Sequence, residues 1–157
     1  MMWTRSLRIW VVVCSIVFTI GTALHGFVVI DEQVLARTME LAGASADPSG
    51  FLTGFRVVGA VFVVANALGL LALRAGNWLF WVVLAVNAGQ AAGVGMVPFE
   101  MFQAASETYG WVGVLPSVVT DGGALILVLV MLGRVLAVVR QRRSARGTVL
   151  SGGQPDR

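Results

Sequence analysis

Four long apolar stretches dominate the hydrophobic pattern of the chain. They cover approximately residues 7–30, 55–73, 78–97 and 118–139. A helix needs about 20 predominantly apolar residues to cross the hydrocarbon core of a bilayer. The pattern therefore predicts an all-α integral membrane protein with four spans, in which residues 1–143 form a single transmembrane domain.

The connections between the spans predict how they are arranged. The 74–77 segment is so short that the second and third spans must be antiparallel neighbours, which favours an antiparallel four-helix bundle. The first apolar stretch is longer than the core of a signal peptide, about 7–15 residues, so we expect an uncleaved anchor. Residues 144–157 are rich in small and polar residues, and we expect a disordered tail.

Two longer connections are too apolar for simple solvated loops. In 31–53, apolar residues recur at helical spacing with charged residues between them, which predicts a short amphipathic helix at the interface. The 98–117 segment carries Phe99, Phe102, Tyr109 and Trp111, and aromatic side chains favour the headgroup level. We expect both segments to cap the outer side of the bundle.

Composition and charge support the membrane assignment and predict an orientation. Only 12% of the 157 residues are charged, and the mean hydropathy is +0.86, values that exclude an ordinary soluble domain. Basic loops resist translocation. Arg37 and Arg56 lie on one side of the predicted bundle, and the other nine basic residues lie on the opposite side: Arg5, Arg8, Arg74, Arg134, Arg140, Arg142, Arg143, Arg146 and Arg157.

This asymmetry predicts that both termini are cytoplasmic. All basic residues are Arg, which is typical of GC-rich bacterial genomes, so we expect a multi-pass protein of a bacterial plasma membrane. The high pI, about 10.4, does not indicate a nucleic-acid partner, because the Arg residues lie at segment ends where they face anionic lipid headgroups.

Several classes of chemistry are excluded by the residues that the chain lacks. Cys14 is the single cysteine, so no CxxC redox pair or cysteine-based zinc site can form within one chain. His25 is the single histidine and cannot provide bis-His haem ligation alone. No phosphate-binding loop, nucleophile elbow or HExxH motif occurs. The sequence predicts no metal site and identifies no cofactor.

Ionisable residues within or beside the spans are the main candidates for function, because burying them in hydrocarbon costs free energy. We expect His25, Arg56 and Asp121 to meet in the outer leaflet, with Glu100 close by. As a catalytic set, His25 and Asp121 would transfer protons and Arg56 would stabilise developing charge. The alternative is a structural ion pair, or long side chains that reach water.

Three amides form a second candidate set at mid-membrane. Asn66 and Asn87 lie at similar depth on adjacent predicted helices, which favours a hydrogen bond between them. Together with Gln90 and Glu100 they could instead contact a ligand. The Gly89 and Gly93 pair has the spacing that allows close helix approach.

The layout resembles that of DoxX-like small bacterial membrane proteins. The resemblance rests on the sequence FRVVGA at 55–60, the small-residue segment ANALG at 65–69 and the basic 74–77 turn. It implies a four-helix bundle with an accessory role near membrane redox or quinone chemistry. No catalytic residue is carried over from that family.

The leading hypothesis is a non-catalytic bundle that binds a lipid-like, apolar or quinone-like molecule, or a membrane partner subunit, between its helices. The first alternative is a small intramembrane isomerase or cyclase that uses His25, Asp121 and Arg56. The second is a dimeric transporter, since four spans enclose little space alone. Expected partners are the lipid bilayer and a second copy or partner subunit.

Overall fold

The computed structural model describes residues 2–45, 47–74 and 76–151, and side chains as far as Ser144. This part of the chain is helical and contains no strand, which confirms the predicted all-α class. Six helices are present in it: α1 (Arg5–Val29), α2 (Glu32–Leu41), α3 (Pro48–Leu73), α4 (Asn77–Gly93), α5 (Phe99–Tyr109) and α6 (Trp111–Ser144).

Three of these helices, α1, α3 and α6, are long and apolar enough to cross a membrane. The third predicted span corresponds to α4, which has 17 residues and ends at Gly93, before the predicted end at residue 97. The helical backbone of α6 continues to Ser151, past the start of the tail predicted at 144. Residues 152–157 of that tail lie outside the described residues.

Local side chains explain where three helices begin. The Thr4 hydroxyl accepts a hydrogen bond from the Leu7 N–H and caps α1. Asp31 caps α2 through the Val34 N–H, and Asp47 caps α3 next to Pro48. Each cap satisfies backbone donors that the first helical turn leaves without a partner.

The long helices are not regular throughout. Helix α1 ends in a π-helical turn, His25–Val29, and α3 ends in a 3₁₀ segment, Leu68–Leu73. Helix α6 contains a second π-helical turn, Val118–Gly122, which begins two residues after Pro116.

The packing is layered along the helix axes. Helix α1 contacts both α3 and α6, and α4 contacts α3 and α6 in turn. Near the start of α1, these helices share a close-packed core around Leu7, Val11, Phe80 and Met131. We refer to this region as the N-terminal end.

A second core lies at the opposite end, where α2 packs on α5. Val34 and Leu35 of α2 are buried against Met101 and Ala104 of α5. We refer to this region as the cap end. The predicted amphipathic helix within 31–53 is therefore confirmed as α2, and its apolar face packs on α5 and the start of α3.

Candidate functional site

Between these two cores, α1, α3, α4 and α6 surround a cavity of about 130 Å³. Its walls are mostly apolar. The polar side chains in its lining are Thr22, His25, Gln90, Thr120 and Asp121. Val58 on α3 and Gly89 on α4 are the exposed part of the lining, so the cavity opens between these two helices.

The two ionisable residues of the cavity both lie on π-helical turns. His25 begins the turn that ends α1, and Asp121 lies in the turn within α6. A π-helical turn adds a residue to the helical register and redirects side chains, and such turns are frequent at functional sites. His25 and Asp121 line the same cavity and interact electrostatically.

Asp121 is held by hydroxyl groups of its own helix. The Ser117 Oγ donates to Asp121 Oδ2 at 2.7 Å, and the Thr120 Oγ1 donates to Oδ1 at 3.2 Å. These two hydrogen bonds fix the orientation of the carboxyl group.

His25 is fixed by an aromatic contact and keeps hydrogen-bonding capacity. Its ring stands edge-on to the ring of Phe55, with the centroids 5.9 Å apart. The His25 Nδ1 is buried and has no hydrogen-bond partner among the described residues. Buried polar atoms in folded proteins nearly always have a partner. His25 itself is among the residues that line the cavity.

One row of polar side chains crosses three helices beside the cavity. The Asn66 Nδ2 of α3 donates to the Gln90 Oε1 of α4 at 2.8 Å. The Gln90 Nε2 donates in turn to the Thr22 Oγ1 of α1 at 3.3 Å. Asn66 and Gln90 are both buried.

The predicted hydrogen bond between Asn66 and Asn87 is wrong. The Asn87 Nδ2 donates to the Val83 carbonyl of its own helix at 2.8 Å, and Gln90, one turn further along, reaches Asn66 instead. Gln90 has the longer side chain, so it spans a gap between α3 and α4 that an Asn cannot. The Asn87 Oδ1 is buried without a partner among the described residues.

Arg56 and Glu100 do not line the cavity. The inward face of α3 contains Leu52, Phe55, Gly59 and Asn66, and Arg56 follows Phe55 by one residue, about 100° around the helix. The prediction that Arg56 faces inward is therefore wrong, and its side chain is exposed. Glu100 lies in the first turn of α5, at the cap end.

The glycines divide into those that allow close packing and those that leave space. Gly21 allows close packing of α1 on α6, because an added Cβ there would overlap the Thr120 side chain. A Cβ at Gly89 would reach only ordinary contact distance from Phe62, and one at Gly93 would meet nothing within 4 Å. Gly89 and Gly93 therefore provide cavity volume and not the close helix approach predicted for them.

The remaining cavity residues carry only weak signals in the sequence. Ser117 precedes Asp121 by four residues, a spacing that places both on one helix face but does not by itself predict their hydrogen bond. In the sequence, nothing distinguishes Phe55 and Phe62 from the other apolar residues of the second stretch. No group of three or more His, Cys, Asp or Glu side chains that could hold a metal ion occurs in the described part of the chain.

The cap end has its own polar network outside the spans. The Arg37 Nε donates to the Glu107 Oε2 at 2.7 Å, joining α2 to α5, and Arg37 also pairs with Glu40. The hydrogen bond that Arg37 donates to Glu107 lowers the pKa of Glu107 and raises the pKa of Arg37. This network ties the two short helices together at their exposed edge.

Asp31 and Tyr109 form a second link across the cap end. The Tyr109 hydroxyl donates to the Asp31 Oδ2 at 2.8 Å. Partial burial acts to raise the pKa of Asp31, but the hydrogen bonds from the Val34 N–H and Tyr109 outweigh it and the pKa is lowered. The hydrogen bond that Tyr109 donates to Asp31 raises the pKa of Tyr109.

Comparison with known proteins adds no assignment to this geometry: no family model, no curated protein and no solved structure matches the chain.

Proposed function

We propose that the chain is a multi-pass membrane protein that binds the polar head of a lipid-like molecule in the cavity lined by His25 and Asp121. The observation that supports this most directly is the buried Nδ1 of His25, which has no protein partner among the described residues and belongs to a residue that lines a mostly apolar cavity. An unsatisfied buried nitrogen costs about 1–3 kcal/mol, and a ligand acceptor or donor would recover that free energy.

The architecture in this proposal is an antiparallel four-helix bundle in which α4 spans the membrane in addition to α1, α3 and α6. Its 17 residues are at the lower limit for crossing a bilayer. The contacts of α4 with α3 and of α6 with α1 would close the bundle. The distribution of Arg residues supports cytoplasmic termini and a bacterial plasma membrane, with the cap end outside.

The cavity volume limits the ligand that it can hold. An apolar cavity of about 150 Å³ holds one benzene molecule, so 130 Å³ suits a single small ring. The opening between α3 and α4 would let an attached apolar tail extend into the membrane. A ring with carbonyl oxygens and an apolar tail, as in a quinone, fits these features. The resemblance to DoxX-like proteins implies the same ligand class.

The pairing of His25 with Asp121 favours a second candidate, an intramembrane isomerase or cyclase. A His and a carboxylate at one cavity can remove and return a proton on a bound apolar substrate. Arg56 has no part in this version, because it lies outside the cavity lining. The dimeric transporter stays a hypothesis, and no contact or cavity in the described part of the chain favours it.

The test is native mass spectrometry of the protein extracted gently from its membrane. We expect the wild type to retain one small molecule per chain, and Gly93→Leu to lose it, because this side chain fills the cavity and its Cβ meets no neighbour within 4 Å. Gly133→Leu is the matched control, since its Cβ also meets nothing within 4 Å and Gly133 lies outside the cavity.

Equal retention by wild type and Gly93→Leu would refute the proposed site. A His25→Gln variant separates the two functions. If the protein is an enzyme, the molecule recovered from wild type is a converted product and that from His25→Gln is unconverted. If the protein only binds, both samples contain the same compound and the variant contains less of it.

A further inference from the structure

A second recess lies on the lipid-facing side of the protein, between α1 and α6. It consists of two adjoining parts of about 360 and 370 Å³, and both parts are lined by Trp10 and Val130. The two parts meet at these two residues. We call the recess the α1/α6 groove.

The end of the groove near the start of α1 is polar. Thr4, Ser6 and Arg134 line it. The Arg134 Nε donates to the Met2 carbonyl at 3.2 Å, which holds the guanidinium at the level where the first span begins. The start of α1 adds the positive end of a helix dipole. No Asp or Glu belongs to the lining of the groove in the described part of the chain.

The rest of the groove is apolar and enters the membrane region. Phe18 and Ile126 are among its walls, and Gly123 provides its depth. A Cβ at Gly123 would stand 2.6 Å from the Phe18 ring, so the glycine lets this ring lie directly on α6. From Val119 to Val130 the groove extends about 16 Å along the helix, close to the thickness of one leaflet, about 15 Å.

Trp10 lies where the two parts meet, and 63% of its surface is exposed. It follows Ser6 by one helical turn, about 6 Å deeper. Tryptophan favours the membrane–water interface, where its ring packs against apolar chains and its N–H faces polar groups. This is the depth at which the ester groups of a phospholipid lie when its phosphate is beside Ser6.

We propose that the α1/α6 groove binds one anionic phospholipid, with its phosphate at Arg134, Thr4 and Ser6 and one acyl chain along Cys14, Phe18 and Ile126. The guanidinium and the two hydroxyls are the donors that suit a phosphate group. A zwitterionic headgroup carries a cationic group as well as the phosphate, and the lining offers this group no acidic partner. An anionic headgroup is therefore favoured. This site is separate from the cavity of His25 and Asp121.

The experiment titrates the full chain, purified in a mild detergent, with phosphatidylglycerol and with phosphatidylcholine of the same chain length, and counts bound lipid by native mass spectrometry. We expect wild type to prefer phosphatidylglycerol by about fivefold, the effect of one basic residue near the membrane surface. Arg134→Gln should lose this preference. Arg140→Gln, an exposed basic residue of the same helix outside the groove, should keep it.

Because Arg134→Gln also removes a hydrogen bond to Met2, a second variant tests the groove independently. Ile126→Trp places a large side chain in the acyl part at a position that is 65% exposed, so it should fold normally and bind less of both lipids. Inorganic phosphate at millimolar concentration should not displace the lipid. Equal losses in Arg134→Gln and Arg140→Gln, unchanged binding in Ile126→Trp, or displacement by phosphate would each overturn the proposal.

Discussion

The Asn66 Nδ2 and the Gln90 Oε1 are 2.8 Å apart, and this hydrogen bond joins α3 to α4 at a buried position. Gln90 then contacts Thr22, so one amide side chain links three helices. Helices in a membrane gain little from the hydrophobic effect between them, so such polar contacts help to set which helix faces are in contact. Gln90 also lines the cavity, and the same bond therefore positions a cavity wall.

A double-mutant cycle measures this bond. Asn66→Ala and Gln90→Ala should each destabilise the protein, and the coupling free energy between them should be about 0.6 to 1.7 kcal/mol. The double variant should lose less stability than the sum of the two single variants, because either single substitution already breaks the bond. The free energy of unfolding in detergent, measured for the four proteins, gives this value.

Asn87 provides the control cycle. It is also a buried amide of α4, but its Nδ2 bonds to the Val83 carbonyl in the same helix. Asn87→Ala and Asn66→Ala should therefore be additive within about 0.5 kcal/mol. A larger coupling for this pair than for Asn66 and Gln90 would contradict the observed hydrogen-bond pattern.

Gly113 allows α6 to approach α5 closely, and its substitution should be costly. A Cβ there would stand 2.6 Å from the Ala105 carbonyl oxygen, a backbone atom that cannot rotate away. Gly113→Ala should lower the free energy of unfolding by about 1–3 kcal/mol, the usual cost of overpacking. Gly93→Ala is the comparison, because its Cβ meets nothing within 4 Å and alanine favours helix. Thermal unfolding in detergent should separate the two variants, and equal midpoints would contradict this account.

Much of the secondary structure could be predicted from the sequence because apolar length and periodicity act locally. The helical pattern of 31–53 identified α2, and the long apolar stretches identified the three helices that are able to span a membrane. The extension of α3 back to Pro48 was less visible, because residues 48–54 include one proline and two glycines and the start of the helix depends on the Asp47 cap.

The cavity could be predicted only in part, because it depends on how each helix is rotated. Depth along the membrane placed His25 and Asp121 at one level, and they line one cavity. Depth, together with the spacing of Arg56, Gly59 and Asn66 along one predicted helix face, also grouped Arg56 with them, although the inward face of α3 passes through Phe55. The two π-helical turns change the rotation of α1 and α6 near the cavity, and a regular 3.6-residue period cannot anticipate that change.

The cap end should loosen in acid. The pKa of Glu107 and that of Asp31 are lowered in the folded protein, so their contributions to stability are complete above the ordinary values of 4.5 and 3.8 and are lost as the pH falls through the lowered values. Amide hydrogen exchange in α2 and α5, corrected for intrinsic rates, should therefore be more strongly protected at about pH 6 than at about pH 3.

Glu107→Gln tests the cause of this acid sensitivity. The variant cannot form the ion pair with Arg37, so α2 and α5 should already exchange faster at about pH 6, and acidification should change them less than in wild type. The amides of α4 provide an internal reference, because they lie outside this network. An equal response to pH in wild type and variant would show that the Arg37–Glu107 contact does not hold the cap together.

Arg56 and His25 should differ sharply in their effect on ligand binding, if the proposed cavity is the binding site. Arg56 is exposed and outside the lining, so Arg56→Gln should change the affinity by no more than about twofold, as expected for a surface substitution. His25→Gln removes the buried nitrogen that has no protein partner among the described residues and should weaken binding by about three- to tenfold, the worth of one hydrogen bond. Titration of each protein with a short-chain benzoquinone, followed by native mass spectrometry, measures both effects, and Glu100→Gln serves as a second variant outside the cavity. A loss in Arg56→Gln as large as that in His25→Gln would mean that the ligand contacts the exposed face of α3 and not the cavity.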